Sequence, residues 1–263
     1  MCIRDRVRDY YGDNAAYSYF EGCSQGGRQA FMSAQRYPQD FDGIIAGAPA
    51  FNYQGLNAAG TWNLQRIFRD NLVGNLAADS TGDGSPDSLA LLDKLHDRVL
   101  LKCDARDGVQ DGVIGAPLAC DFNPSVDLSD LMCPSDSAGS DCFTTAQLQT
   151  INDLYNGPSD SSGRAVYPGK MFGSELRWAG YYIPWQGNGM GPSKLMGVAG
   201  DHMNYLFYEE DPGVTVPDVR DVTYQADTEG VMPEFHWIDW NIDDFFSGKG
   251  DLMKSITDAN DPD

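Results

Sequence analysis

Phe20-Glu21-Gly22-Cys23-Ser24-Gln25-Gly26-Gly27 is the stretch on which the reading of this chain turns. Gly22, Ser24 and Gly26 satisfy G-x-S-x-G, the strand-to-helix turn that holds a serine in a strained and exposed position. The flanks agree with it. Tyr17, Ser18, Tyr19 and Phe20 favour a strand before the turn. After it, Ala30, Phe31, Ala34 and Tyr37 recur at helical spacing until Pro38 stops the helix. The glycines beside the serine let the following backbone pass closely, with no Cβ in the way. A serine so placed has a helix N-terminus behind it, and the backbone N–H of Gln25 faces a developing oxyanion. Ser24 is therefore the candidate nucleophile, and Gln25 a candidate oxyanion donor.

The wider stretch carries a resemblance. Gly22-Cys23-Ser24-Gln25-Gly26-Gly27-Arg28-Gln29-Ala30, then Arg36-Tyr37-Pro38, then Phe41-Asp42-Gly43-Ile44-Ile45-Ala46-Gly47-Ala48-Pro49-Ala50 resemble the tannase and feruloyl esterase family. That family includes the hydrolase of mono(2-hydroxyethyl) terephthalate. The resemblance runs from about Tyr17 to the C-terminus. It implies a secreted α/β-hydrolase with a large inserted lid, a structural calcium, and a cysteine just before the nucleophile. In the family that cysteine is bridged to one beside the catalytic histidine.

Bulk properties narrow the class. The length of 263 residues is ample for a buried core. A net charge of −21 makes nucleic acid and anionic membranes poor partners. It fits an extracellular protein, a high-salt habitat or cation binding alike. No apolar run approaches the ~20 residues of a membrane span. Met1-Cys2-Ile3-Arg4-Asp5-Arg6 has no apolar h-region and is not a signal peptide. An α/β-hydrolase places several strands ahead of its nucleophile, yet the serine here is residue 24. The expectation is therefore a fragment whose first six residues are a non-native addition leading directly into a core strand.

The expected fold is α/β, a partial α/β-hydrolase core with a large inserted lid. Residues 1–50 are assigned to the core, 51–231 to the lid, and 232–263 to a truncated return to the core. Gly43 to Gly47 reads as a short buried strand. In the lid, Trp62, Leu64, Ile67, Phe68 and Leu72 suggest one helix. Leu92, Leu95 and Val99 suggest a second, capped by Ser88. Thr144 and Gln147 form a capping box for a third, with Leu148, Ile151, Leu154 and Tyr155 as its stripe and Gly157 closing it. The aromatic stretch with Trp178, Tyr181, Tyr182 and Trp185 reads as part of the lid, offering rings against which a substrate can stack.

Six cysteines point to an oxidising compartment, secreted or periplasmic. With Cys2 set aside, Cys103 with Cys120 and Cys133 with Cys142 are natural local pairs, leaving Cys23 without a partner. Between the first pair lies Cys103-Asp104-Ala105-Arg106-Asp107-Gly108-Val109-Gln110-Asp111-Gly112-Val113-Ile114. Carboxylates at these spacings can wrap one cation, and Ca²⁺ takes six to eight oxygens. The resemblance implies Asp104, Asp107 and Asp111 as ligands, with the carbonyls of Val109 and Val113. A plain acidic turn is the alternative, and it is preferred for Asp79, Asp83 and Asp87.

The remaining machinery is less visible. This fold orders its triad Ser, then Asp, then His. The three histidines are His96, His202 and His236. His96 reads as a surface or packing residue, while Asp201 with His202 and Asp239 near His236 offer only adjacent pairs. The expectation is that the acid and histidine lie beyond Asp263 and that this chain alone is inactive. The resemblance implies hydrolysis of small aromatic acid esters by a Ser-His-Asp mechanism. The elbow alone leaves thioesters and peptide acyl groups open, and the alternative function is a non-catalytic calcium-binding extracellular module.

Overall fold

The computed structural model describes residues 3–72, 74–77, 88–183 and 242–243. The chain divides into two compact units, one ending at Leu56 and the other beginning at Asn57.

In the first unit, strand β1 (Tyr19–Cys23) runs parallel to β2 (Gly43–Gly47), with Tyr19 opposite Gly43 and Cys23 opposite Gly47. Parallel neighbours need a crossover, and helix α2 (Gln25–Arg36) supplies it. Its buried positions are Gly27 and Ala30, small residues that let the helix lie close to the strands. Asp42 fastens the start of β1: its carboxylate accepts the Ser18 N–H at 2.7 Å, and its own N–H donates to the Ser18 carbonyl at 2.7 Å. Phe20 and Phe41 meet edge to face beside this clasp. The strand β2 is less buried than its apolar run implies. Among the described residues the sheet has two strands, and Ile45 is 64% exposed.

The N-terminal residues correct a second expectation. Ile3–Tyr11 form helix α1 rather than a lead into a strand. The Arg4 guanidinium pairs with the Asp40 carboxylate at 2.9 Å and donates to the Asp40 carbonyl at 3.3 Å. Arg4 and Arg6 are therefore part of an ordered element. Met1 and Cys2 lie outside the described residues.

Helix α3 (Tyr53–Leu72) opens at the end of the first unit and lies mostly in the second. It starts earlier than its apolar stripe suggested, because Asn52 accepts the Gly55 N–H with its side-chain oxygen. Trp62, Leu64 and Ile67 are buried as the stripe requires, and the side chains of Phe68 and Leu72 lie outside the description. Helix α4 (Ala90–Cys103) buries Leu91, Leu92, Leu95 and Val99. Leu89 holds its N-cap position, while Ser88 accepts the Ala90 N–H, so the expected cap sits one residue early. The short helix α5 (Pro124–Asp127) is capped by Asn123. Helix α6 (Thr145–Asn156) carries the full capping box, with Thr144 bonded to the Gln147 N–H and Gln147 returning to the Thr144 N–H. Helices α3, α4 and α6 share one apolar cluster with Phe122, Leu128, Phe143 and Trp178.

Both local disulfides are present, Cys103–Cys120 and Cys133–Cys142. Each closes a loop against a helix end, where loss of chain entropy in the unfolded state contributes about 2–3 kcal/mol. Cys23 carries a free, exposed thiol.

Candidate active site

Ser24 joins β1 to α2 with φ 59° and ψ −114°, a conformation costly for any residue with a Cβ. Three backbone hydrogen bonds hold it there. Its N–H donates to the Gly47 carbonyl, and its own carbonyl accepts the N–H groups of Arg28 and Ala50, all at 3.0 Å. The strand, the helix and the β2 exit loop thus fix one residue together. Its side chain is exposed. Strain maintained by the surroundings in this way marks a site where orientation matters more than local energy.

Two of the glycines are needed for space. A Cβ on Gly22 would stand 2.4 Å from the Gly26 carbonyl, and one on Gly27 would stand 2.4 Å from the Gly47 oxygen and 2.7 Å from Pro49 Cα. A Cβ on Gly26 meets nothing within 4 Å. The close approach expected of the motif therefore falls on Gly22 and Gly27, and Gly26 is a bystander.

Gln25 opens α2, so no carbonyl of its own helix can take its backbone N–H. That leaves the donor available next to the serine, at the positive end of the helix dipole. Its side-chain oxygen Oε1 is buried without a hydrogen-bond partner among the described residues.

In the second unit the Cys103–Cys120 loop turns its acids onto its own backbone. Asp104 accepts the N–H groups of Asp111 and Gly112, Asp107 those of Val109 and Gly115, and Asp111 that of Val113. The amides of Val109 and Gly115 hold the Asp107 carboxyl below its ordinary range. The donors are hard oxygens of the type calcium takes. They do not converge, however: among the described residues no group of three or more His, Cys, Asp or Glu side chains gathers closely enough to hold a metal ion.

His96, in the second unit, belongs to a network that the sequence did not reveal. Glu175, fully buried, accepts from His96 Nδ1 at 2.8 Å, Tyr155 Oη at 2.7 Å and the Gly173 N–H at 2.8 Å. A buried carboxylate is tolerable only with such donors. Burial, then the charge of Glu175, pushes the Tyr155 phenol well above its ordinary range, so it stays a donor. His96 is thus a half-buried partner of Glu175, which is the packing role of the two that the sequence left open. Trp178 is core, bonded through Nε1 to Ser174 Oγ and packed edge-on against Tyr155. Of the aromatics expected to stack substrate, Tyr181 stays exposed. Trp185, His202 with Asp201, His236 with Asp239, and Asp79, Asp83 and Asp87 lie outside the described residues.

Residues 4–228 match the family model described as "Tannase and feruloyl esterase". Over 183 residues the chain is 32% identical to a probable feruloyl esterase B-1 of Aspergillus oryzae, covering 68% of this chain and 31% of that protein. It is 36% identical over 172 residues to a probable feruloyl esterase B of Aspergillus clavatus, covering 65% and 30% of the two. Among solved structures, feruloyl esterase B from Aspergillus oryzae aligns with a TM-score of 0.59 at 27% identity, over 94% of this chain and 45% of that one. A further esterase from Aspergillus oryzae gives 0.62 at 26% identity, over 94% and 44%. The matched part is therefore about three tenths of the length of these relatives and less than half of the solved chains.

Proposed function

The chain belongs to the tannase and feruloyl esterase family, and from that premise we propose that it supplies the nucleophile of a secreted or periplasmic carboxylic ester hydrolase acting on small aromatic acid esters. The observation that carries this reading is the strained Ser24, pinned by three backbone bonds at the head of α2. Ser24 Oγ attacks the ester carbonyl, passing its proton to a histidine. The oxyanion is held by the Gln25 N–H, the alcohol leaves with the histidine's proton, and water then releases the acid. A non-catalytic module gains nothing from keeping a serine in so costly a conformation, which weighs against the calcium-binding alternative.

The histidine is assigned by experiment. His96 is engaged by Glu175, and with Nδ1 facing the carboxylate its Nε2 is the nitrogen left for other contacts. Replacing His96, His202 and His236 singly by Ala, in the full-length protein, asks whether any of them is the base, and full activity in all three assigns the role to a histidine other than these. In the same assay Ser24→Ala lowers turnover of a chromogenic aryl ester by three orders of magnitude or more, with an unchanged fold. Retention of more than a few per cent of activity removes Ser24 from the role.

The Cys103–Cys120 loop is proposed as a structural Ca²⁺ site through Asp104, Asp107 and Asp111, with the carbonyls of Val109 and Val113. The support is donor chemistry and the resemblance. Binding has to draw the three carboxylates inward from the amides they now accept.

A further inference from the structure

The pair of His96 and Glu175 has more order than packing demands. The Glu175 carboxylate is fully buried, and its two oxygens have separate partners. Oε1 accepts the Tyr155 hydroxyl at 2.7 Å and the Gly173 N–H at 2.8 Å. Oε2 is left to His96 Nδ1, 2.8 Å away. Two donors on one oxygen thus hold the carboxylate with its other oxygen facing the imidazole. A carboxylate can only accept, so the proton sits on Nδ1 and the neutral ring carries its lone pair on Nε2.

That lone pair is open to solvent. The His96 side chain is 16% exposed and Glu175 not at all, so the exposed part of the ring lies away from Nδ1. Nε2 has no hydrogen-bond partner among the described residues. Nor is it one of the described buried atoms that lack a partner, which are Gln25 Oε1, Trp62 Nε1 and Arg66 Nε. An imidazole oriented by a carboxylate at one nitrogen and free at the other is the base and orienter of a triad without its serine. With no hydroxyl bonded to Nε2 among the described residues, the imidazole itself is the nucleophile.

We propose that His96 and Glu175 form a second, slower esterolytic centre, at which His96 takes the acyl group of an activated aryl ester and passes it to water. The Nε2 lone pair attacks the ester carbonyl, and the aryloxide leaves with the bonding pair. Glu175 Oε2 faces the positive charge that the acylated ring then carries and holds the ring in place. Water attacks the acyl carbon, the C–N pair returns to Nε2, and a carboxylic acid and a phenol are formed. His96 is the catalytic residue of this step and Glu175 its positioning residue. The step does not involve Ser24, and it holds whether or not the ester hydrolase reading does.

The test follows 4-nitrophenyl acetate with the full chain carrying Ser24→Ala, which leaves this centre alone. Saturable release of nitrophenol above the buffer rate is expected. Adding His96→Gln, which keeps a side chain able to bond Glu175, should lower it at least about tenfold with an unchanged melting temperature. Adding Glu175→Gln instead should lower kcat and leave KM as it was. Diethyl pyrocarbonate, which caps imidazole nitrogen, should stop the release in Ser24→Ala and hydroxylamine restore it, a readout that needs no variant at His96. Release no faster than in buffer overturns the proposal. So does release that His96→Gln leaves intact, or that survives diethyl pyrocarbonate. A Glu175→Gln chain that raises KM and keeps kcat removes Glu175 from the positioning role.

Discussion

Around Ser24 the first-order question is which side chains the turn can admit. Gly26 and Gly27 are adjacent in both sequence and helix, and G-x-S-x-G names only the first. The structure reverses their importance, since a Cβ on Gly27 would stand 2.4 Å from a carbonyl of the β2 exit loop while one on Gly26 meets open space. Gly27→Ala is therefore expected to destabilise the protein by about 1–3 kcal/mol, the usual range for overpacking a rigid site. Ester hydrolysis should fall with it, because the loop that must shift also anchors Ser24 through Gly47 and Ala50. Gly26→Ala is expected to be neutral or to stabilise by up to about 1 kcal/mol, since alanine is the better helix former. Urea unfolding of the two variants decides the matter, and equal losses would count against this geometry. Ser24 and its turn were legible from eight residues because every contact that shapes them is local or one strand away. Glu175 was not. Its partner His96 is 79 positions distant, and nothing in either local pattern marks them as meeting.

Among the elements, those whose signals are local were the ones the sequence revealed. The capping box of Thr144 and Gln147 and both disulfides each depend on residues close in sequence, whereas of the stripe read for α2 only Ala30 is buried, and Phe31, Ala34 and Tyr37 are exposed. Helix α1 escaped notice because its apolar content is slight and its anchor, Asp40, lies 36 residues on. The Cys103–Cys120 loop falls between these cases: its acids were legible and their present use was not. Folded inward on amides, Asp107 titrates below its ordinary 3.8. Its contribution is therefore fully present at neutral pH and is lost only as pH falls through that lowered value. If the same carboxylates take Ca²⁺, the ion adds stability by mass action, about 2.7 kcal/mol at a hundredfold excess over its dissociation constant. Chelation at pH 7 should then lower the melting temperature, and Asp107→Ala should abolish the difference between chelated and calcium-loaded protein. An identical melt with and without chelator would leave the loop a purely carboxylate–amide structure.

Over the whole molecule the dominant quantity is charge, −21 on a chain of 28.8 kDa. Most described cations already have an acid beside them: Arg98 pairs with Asp130, Lys102 with Asp127, Arg106 with Asp121 and Arg164 with Asp160. The excess carboxylates therefore repel one another with little left to neutralise them, and the compact state bears more of that repulsion than the unfolded chain. Salt acts on both sides of this balance. It weakens the surface ion pairs, but exposed pairs contribute only about 0–1 kcal/mol each. It also shortens the screening length from about 10 Å at 0.1 M to about 3 Å at 1 M, which removes repulsion summed over the entire surface. The second effect is the larger for a chain this far from neutrality, so the melting temperature should rise by several degrees between 0.05 M and 1 M NaCl. The measurement is made with chelator present throughout, so that trace calcium plays no part. KCl should match NaCl, because screening depends on ionic strength and not on the identity of the cation. A melting temperature that stays level or falls with salt would mean that the ion pairs outweigh the repulsion.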